Sequence, residues 1–347
     1  MIKVGVAGCG YWGPKHIRNF HEIPEANLTA VCDLDEARLR QVRTQYPYVE
    51  TFRSFGDMLQ DNVDAVVIAT PVNTHYRLAR EALLHDKHVL VEKPMTASSA
   101  EAVELIELAE KRNLVLMVGH TYEYHPAVAF LRELVRNGEL GEIYGIDAAR
   151  LNLGLFRPDV NVLWDLAPHD ICIVLSLLDR DPVAVSARGG CHIDPNVYDV
   201  AYLELLFSNG SMSHIHVSWL HPRKVREITI VGSKKMAVYN DVSEAEKVYI
   251  YDKGLAIPAN NGFATWPPSY RYGDVIIPFI SNAEPLKLEC RHFLECIANG
   301  QRPRSDGWAG LKVTSILEAA DRSLSNGGRR ERLPSAAGIS EAGTTIH

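Results

Sequence analysis

"VAGCGYWGPKH", residues 6–16, follows an apolar run at residues 2–6, and its glycines Gly8, Gly10 and Gly13 stand in G-x-G-x-x-G spacing. In that pattern one glycine makes a tight turn, one lets backbone approach a pyrophosphate, and one lets a helix pack closely on a strand. Taken alone the spacing serves either dinucleotide binding or packing between a strand and a helix. Tyr11 and Trp12, inside the turn, either shape the mouth of a cofactor site or pack.

Working outward, "IKVGVAG", "LTAVCD", "DAVVIATP", "HVLVEKP" and "LVLMVGH" read as nearly continuous apolar strands, the mark of a parallel sheet covered on both faces. Between them lie amphipathic stretches such as "DEARLRQVRTQY", "THYRLAREALLHD" and "SAEAVELIELAEKRN". This βαβ succession predicts an α/β fold with a doubly wound parallel sheet and a ligand crevice at the carboxyl ends of its strands.

After the helix "PAVAFLRELVRNG" the rhythm changes. From about Ile143 to Asp241 most runs alternate with period two, including "VAYLELLFSNGSMSHIHVSW" with its Ser-Asn-Gly-Ser turn, which predicts an α+β domain with a large, mainly antiparallel sheet. Its covering helix is expected in "APHDICIVLSLLD", and the stretch from about Ala256 to Ser281, rich in Pro, Gly and Asn, is expected to be a long loop. "EPLKLECRHFLECIANG" and "GWAGLKVTSILEAADRSL" read as helices that are candidates for packing back on the first domain. The expected organisation is residues 1–121 for dinucleotide binding, 122–284 for substrate and oligomerisation, 285–333 for the terminal helices and 334–347 for a frayed tail.

Composition bounds the partners. A chain of 347 residues with 46% hydrophobic and 23% charged residues is ordinary for two globular domains, and a net charge of -7 argues against nucleic acid or an anionic membrane as the main partner. A small molecule is the expected ligand. The strand pattern begins at residue 2, leaving no room for a charged leader, so a cytoplasmic protein is expected. Cys9, Cys32, Cys172, Cys191, Cys290 and Cys296 lack C-x-x-C spacing and read as free thiols. His214 and His216 share a strand face without a third ligand of fitting spacing, so no metal is expected.

Asp33 ends the second strand, twenty positions after Gly13. A carboxylate there accepts from ribose hydroxyls and repels a 2'-phosphate, which favours NAD over NADP, although Arg38 is within reach of folding back. "ATPVNTHY" and "EKP" each end a predicted parallel strand, so Thr70, Pro71, Asn73, His75, Glu92 and Lys93 face one crevice as candidate cofactor contacts. In "VLWDLAPHDI", Asp165 and His169 are four apart, with Pro168 expected in the first turn of a helix. A histidine there can take a hydroxyl proton as hydride leaves, with the carboxylate holding its tautomer; alternatively Asp165 caps the helix and His169 packs. Arg150, Asn152 and Asn161 either meet substrate or anchor loops.

In order and spacing, "AGCGYWG", Asp33, "ATPVNTH", "EKP" and "WDLAPHD" together resemble the Gfo/Idh/MocA oxidoreductases. The resemblance implies a Rossmann domain, a second α/β domain whose open sheet makes a homodimer or homotetramer interface, and hydride exchange between a nicotinamide and a sugar or cyclitol alcohol. By motif it implies Lys93, Asp165 and His169 as catalytic residues, with the base being either Lys93 or His169, and Glu92 as a cofactor contact. "GHTYEYHPAV", "ARLNLG" and "DVNVLWDLAPHD" look most like the branch acting on nucleotide-linked sugars at C3, which puts Tyr122, Lys93 and His169 among the substrate contacts. The alternatives are an inositol or free-sugar dehydrogenase, a 3-ketosugar reductase, and a non-catalytic NAD-binding regulator.

Overall fold

A computed structural model describes residues 1–154, 156–157, 160–256 and 269–334. The chain forms two compact units, Met1–Tyr124 with Ala283–Glu318, and His125–Asn282 with the residues from Ala319 on.

The first unit holds strands β1 (Ile2–Ala7), β2 (Ala26–Cys32), β3 (Glu50–Phe52), β4 (Ala65–Ile68), β5 (His88–Glu92) and β6 (Leu116–Gly119). They form a parallel six-stranded sheet in the order β3-β2-β1-β4-β5-β6. Helices α1 (Gly13–Glu22), α2 (Glu36–Gln45), α3 (Phe55–Gln60), α4 (His75–Leu84) and α5 (Ser99–Arg112) connect them. The order reverses between β1 and β4, so the crevice expected of such sheets opens at the ends of those strands. Side chains explain the turns locally: Asp35, Ser54 and Ser98 each cap a helix by accepting from backbone N–H, and Asn113 ends α5 in the left-handed conformation. The strands are apolar on both faces because both faces are covered; Val4, Val6, Val66, Val67, Val89 and Val91 are all buried. Helix α8, Pro285–Asn299, belongs to this unit: Leu286, Cys290, Phe293 and Leu294 share a core with Ile17 and Phe20 of α1.

The second unit begins with α6 (Pro126–Arg136), whose entry His125 caps, then β7 (Ile143–Leu153) and α7 (Val162–Leu178). Strands β8 (Ala184–Gly190), β9 (Val200–Leu206), β10 (Met212–Ser218), β11 (Leu220–Gly232), β12 (Met236–Asn240), β13 (Val248–Ala256) and β14 (Ser269–Ile276) follow. Helix α9 (Gly307–Ser325) and strand β15 (Glu331–Arg332) complete the described chain. Among the described residues the sheet order is β14-β13-β12-β11-β7-β10-β9-β8-β15, antiparallel except where β7 and β10 run parallel. Helix α7 packs on β10, β7 and β9, and on β9 alternate residues Ala201, Leu203 and Leu205 are buried while Tyr202 is exposed.

Three expectations change. Strand β14 occupies the second half of the stretch expected to be a loop, while residues 257–268 lie outside the described residues, as does all of the expected tail except Pro334. All eight of its residues are exposed, so no alternation betrays it; its pairing with β13 defines it. Helix α7 begins at Val162, five residues before "APHDICIVLSLLD", because Asn161 caps it by accepting from Trp164 N–H at 3.1 Å. Pro168 therefore lies inside the helix rather than in its first turn.

Candidate active site

In the first unit, β1 runs into Gly8, whose φ of +94° is open to glycine and whose N–H donates to the Cys32 carbonyl at 2.8 Å. A Cβ on Gly8 would lie 2.6 Å from the Ala69 carbonyl oxygen, and one on Gly13 would lie 1.8 Å from the Gly8 oxygen. A Cβ on Gly10, by contrast, would meet nothing nearer than Arg38 Nη1 at 3.9 Å. The first and third glycines are thus fixed by packing, and the second leaves room for an approaching group. No side chain caps α1 and its first turn holds no acid, so its N-terminal dipole is available to an anion.

Asp33, 8% exposed, accepts from the backbone N–H of Cys9 at 2.5 Å and of Asp35 at 2.8 Å. Its carboxylate ties the glycine turn to the end of β2. Arg38 does fold back, with Nη1 3.6 Å from Asp33 Oδ2 and Nε 3.5 Å from Asp35 Oδ2.

At the end of β4, Thr70 and Thr74 hydroxyls meet at 2.7 Å, with Pro71 and Asn73 exposed on the rim. His75 is 1% exposed and faces two carbonyls, Thr70 at 2.9 Å from Nε2 and Pro94 at 2.8 Å from Nδ1. Burial pushes its pKa down despite both contacts. The neutral imidazole has one N–H to donate to one of these carbonyls, and its ring is buried beneath the surface of the site.

At the end of β5, buried Glu92 accepts from His16 Nε2 at 2.9 Å and from the backbone N–H of Lys93 at 3.3 Å. Burial alone would raise the Glu92 pKa, but the His16 hydrogen bond and the charges of His16, Lys93 and His75 together hold it below its ordinary value. Half-buried Lys93 follows, joined to Pro94 by a cis peptide bond. Three buried groups behind it, His16, His120 and Glu289, went unnoticed in the sequence. Thr121 donates to Glu289 Oε2 at 3.0 Å; burial, then the Glu92 charge, pushes the Glu289 pKa well up. Tyr122 is half-buried in the short turn after β6.

In the second unit, Asp165 and His169 lie one helical turn apart on α7 and are both half-buried. The capping task falls to Asn161, whose amide also donates to Asp321 at 3.0 Å. Asp165 accepts from Trp219 Nε1 at 3.1 Å and has Arg157 Nη1 at 3.6 Å. Trp219, also absent from the sequence reading, is 2% exposed and packs edge-on against Phe156. Buried Arg150 grips Asp170 with both arms of its guanidinium, at 2.8 and 2.9 Å, which ties β7 to the residue after His169. Asn152 is half-buried with its amide against Gly154. His214 and His216 stack on Tyr202, and among the described residues no group of three His, Cys, Asp or Glu side chains is placed to hold a metal. The described cysteines are free thiols, and no described helix is long and apolar enough to cross a membrane.

Comparison with known proteins shows the family. Residues 2–120 match the family model described as "Oxidoreductase family, NAD-binding Rossmann fold", and residues 128–238 match the GFO/IDH/MocA C-terminal domain. UDP-N-acetylglucosamine 3-dehydrogenase of Acidithiobacillus ferrooxidans is 30% identical over 315 residues, covering 90% of this chain and 94% of that protein. Its solved structure superposes with a TM-score of 0.80 at 27% identity, over 94% of this chain and 98% of that one. Myo-inositol 2-dehydrogenase of Thermotoga maritima is 27% identical over 338 residues, 93% of this chain and 96% of that protein. The structure of GenD2, from gentamicin A biosynthesis, in complex with NAD shares the fold at 23% identity, with a TM-score of 0.81 over 96% and 97% of the two chains.

Proposed function

This chain belongs to the Gfo/Idh/MocA family of oxidoreductases and carries its NAD-binding domain, and on that premise we propose that it oxidises C3 of a nucleotide-linked sugar. The observation that carries the chemistry is the Asp165–His169 pair on one face of α7, its carboxylate gripped by Trp219. A regulator that only senses NAD needs no such pair. Similarity over nearly the whole chain to a UDP-N-acetylglucosamine 3-dehydrogenase supports the substrate class.

The residues of the first unit fit NAD. Gly8, Gly10, Gly13 and the uncapped first turn of α1 would hold the pyrophosphate, and Asp33 the ribose hydroxyls. Tyr11, Trp12, Thr70, Pro71 and Asn73 would form the rim, with Glu92 and Lys93 at the nicotinamide end. NAD, when bound, accepts the hydride that leaves the alcohol carbon.

In this reading His169 takes the hydroxyl proton as the C–H bond breaks, and Asp165 orients the imidazole and stabilises the imidazolium. Lys93 donates a hydrogen bond to the oxygen while negative charge builds on it. One hydride and one proton lost turn the alcohol into a ketone, and the reverse is the ketoreductase. Tyr122 and Asn152 are the proposed substrate contacts, whereas Arg150 and Asn161 act by fixing α7. The same proposal makes the protein a cytoplasmic homodimer or homotetramer, which light scattering on a sizing column tests.

The deciding experiment follows NADH absorbance with NAD and UDP-N-acetylglucosamine, its uronic acid, free sugars or inositols. NADH formed with nucleotide sugars alone supports the whole reading. Signal with inositols or free sugars alone keeps the three catalytic residues and overturns the substrate class.

A further inference from the structure

The last ladder pair between β5 and β6 is Glu92 with Gly119, and the next residue on each strand is Lys93 and His120. The fit is close, since a Cβ on Gly119 would lie 3.1 Å from Glu92 Oε2. His120 is 1% exposed, and among the described residues neither of its ring nitrogens has a hydrogen-bond partner. Buried polar groups are nearly always paired, and a phenylalanine or leucine would fill the same space without leaving polar atoms bare. A residue kept in a costly form beside a site is explained by the site.

The charged groups around it narrow the role. Glu92, the last residue of β5, and Lys93 after it act on it through their charges; Glu92 is itself bonded to His16 of α1 and feels the charge of His75 of α4, and Glu289 of α8 is joined to Thr121, the residue after His120. Burial, with the Lys93 charge acting the same way, pushes the His120 pKa down to about 4 against the pull of Glu92. The ring is therefore neutral throughout the physiological range, with one N–H and one lone pair.

We propose that His120 is a positioning residue for Lys93, its buried lone pair, unpartnered among the described residues, standing open to receive an N–H of the ammonium when the Lys93 side chain swings to aim the remaining ones at the alcohol oxygen. A carboxylate in that position would neutralise the ammonium. An imidazole holds it and leaves its charge for the developing alkoxide. This rests on the role given to Lys93 above.

The test compares the full-length wild type with His120→Phe, His120→Asn and Lys93→Met. It measures thermal melting, turnover of UDP-N-acetylglucosamine against pH, and the labelling rate of Lys93 by an amine-reactive ester, read by peptide mass spectrometry. His120→Phe is expected to melt no lower than wild type, to lose turnover about tenfold or more with little change in KM, and to label Lys93 at an altered rate. His120→Asn, which keeps an acceptor, is expected to recover part of both. Unchanged labelling and pH profile in His120→Phe, or equal loss of melting temperature in both His120 variants, overturns the inference. If Lys93→Met turns over as wild type does, the role of Lys93 itself falls, whereas its inactivity beside a fully active His120→Phe overturns this inference alone. Labelling needs no turnover, so it decides even when the sugar is not a substrate.

Discussion

Trp219 and Asp165 are joined by a hydrogen bond, 3.1 Å from indole nitrogen to carboxylate oxygen, that links the residue between β10 and β11 to the first turn of α7. Asp165 is thereby oriented from outside its own helix. A hydrogen bond to a charged group is worth ~1.5–3 kcal/mol, so Trp219→Phe is expected to lower kcat about tenfold or more while KM for NAD holds. Steady-state kinetics decide it; unchanged kcat removes Trp219 from the mechanism.

Arg150 and Asp170 are both buried and joined by two hydrogen bonds, so removing one partner strands a charge. Arg150→Met is expected to cost about 3–5 kcal/mol in urea unfolding, and Arg150→Met with Asp170→Leu to recover most of it. A small stability loss with a large rise in sugar KM would instead make Arg150 a substrate ligand.

Arg38 lies 3.6 Å from Asp33, close enough to take over the position if the carboxylate is removed. Asp33→Ser is expected to shift preference from NAD towards NADP by about 10²-fold in kcat/KM, because repulsion of a 2'-phosphate disappears while a guanidinium stays. Fluorescence titration with NADH and NADPH checks the same shift without turnover.

Glu289 gives a pH dependence of definite sign. The folded protein keeps this carboxyl protonated to higher pH than the unfolded chain, where it titrates near about 4.3. Above that value the unfolded state gains by ionising, so wild-type stability falls by ~1.4 kcal/mol per pH unit until the folded group also titrates. Glu289→Gln is expected to remove this slope and to be the more stable protein at pH 7. Urea unfolding of both proteins from pH 5 to 8 measures it, and parallel curves would show that Glu289 is already ionised when folded.

What was legible in the sequence was whatever short-range spacing encodes. Gly8, Gly10 and Gly13 act within one turn, the apolar strands announce a covered sheet, and Asp165 and His169 share a helical face by being four apart. Strand β14 was illegible because exposure on all its residues leaves no period to read. His16, His120 and Glu289 were illegible for another reason: they are far apart in the chain, and only the packing of α1, β6 and α8 brings them behind Lys93. Nothing near Asp165 announces Trp219, 54 positions away, and Pro168 misled because proline usually marks the start of a helix.

His75 spans the carbonyls of Thr70 and Pro94, each two or more residues past the last ladder pair of β4 and β5, Ile68 with Val91. Among the described residues no backbone hydrogen bond joins the two loops that far out, so this one imidazole lies between them where the sheet has already ended. For anyone redesigning cofactor or substrate preference, position 75 then behaves as a dial on the whole floor of the site. Libraries chosen by proximity to a docked ligand would pass over it, since the ring is buried beneath the surface such a ligand would touch.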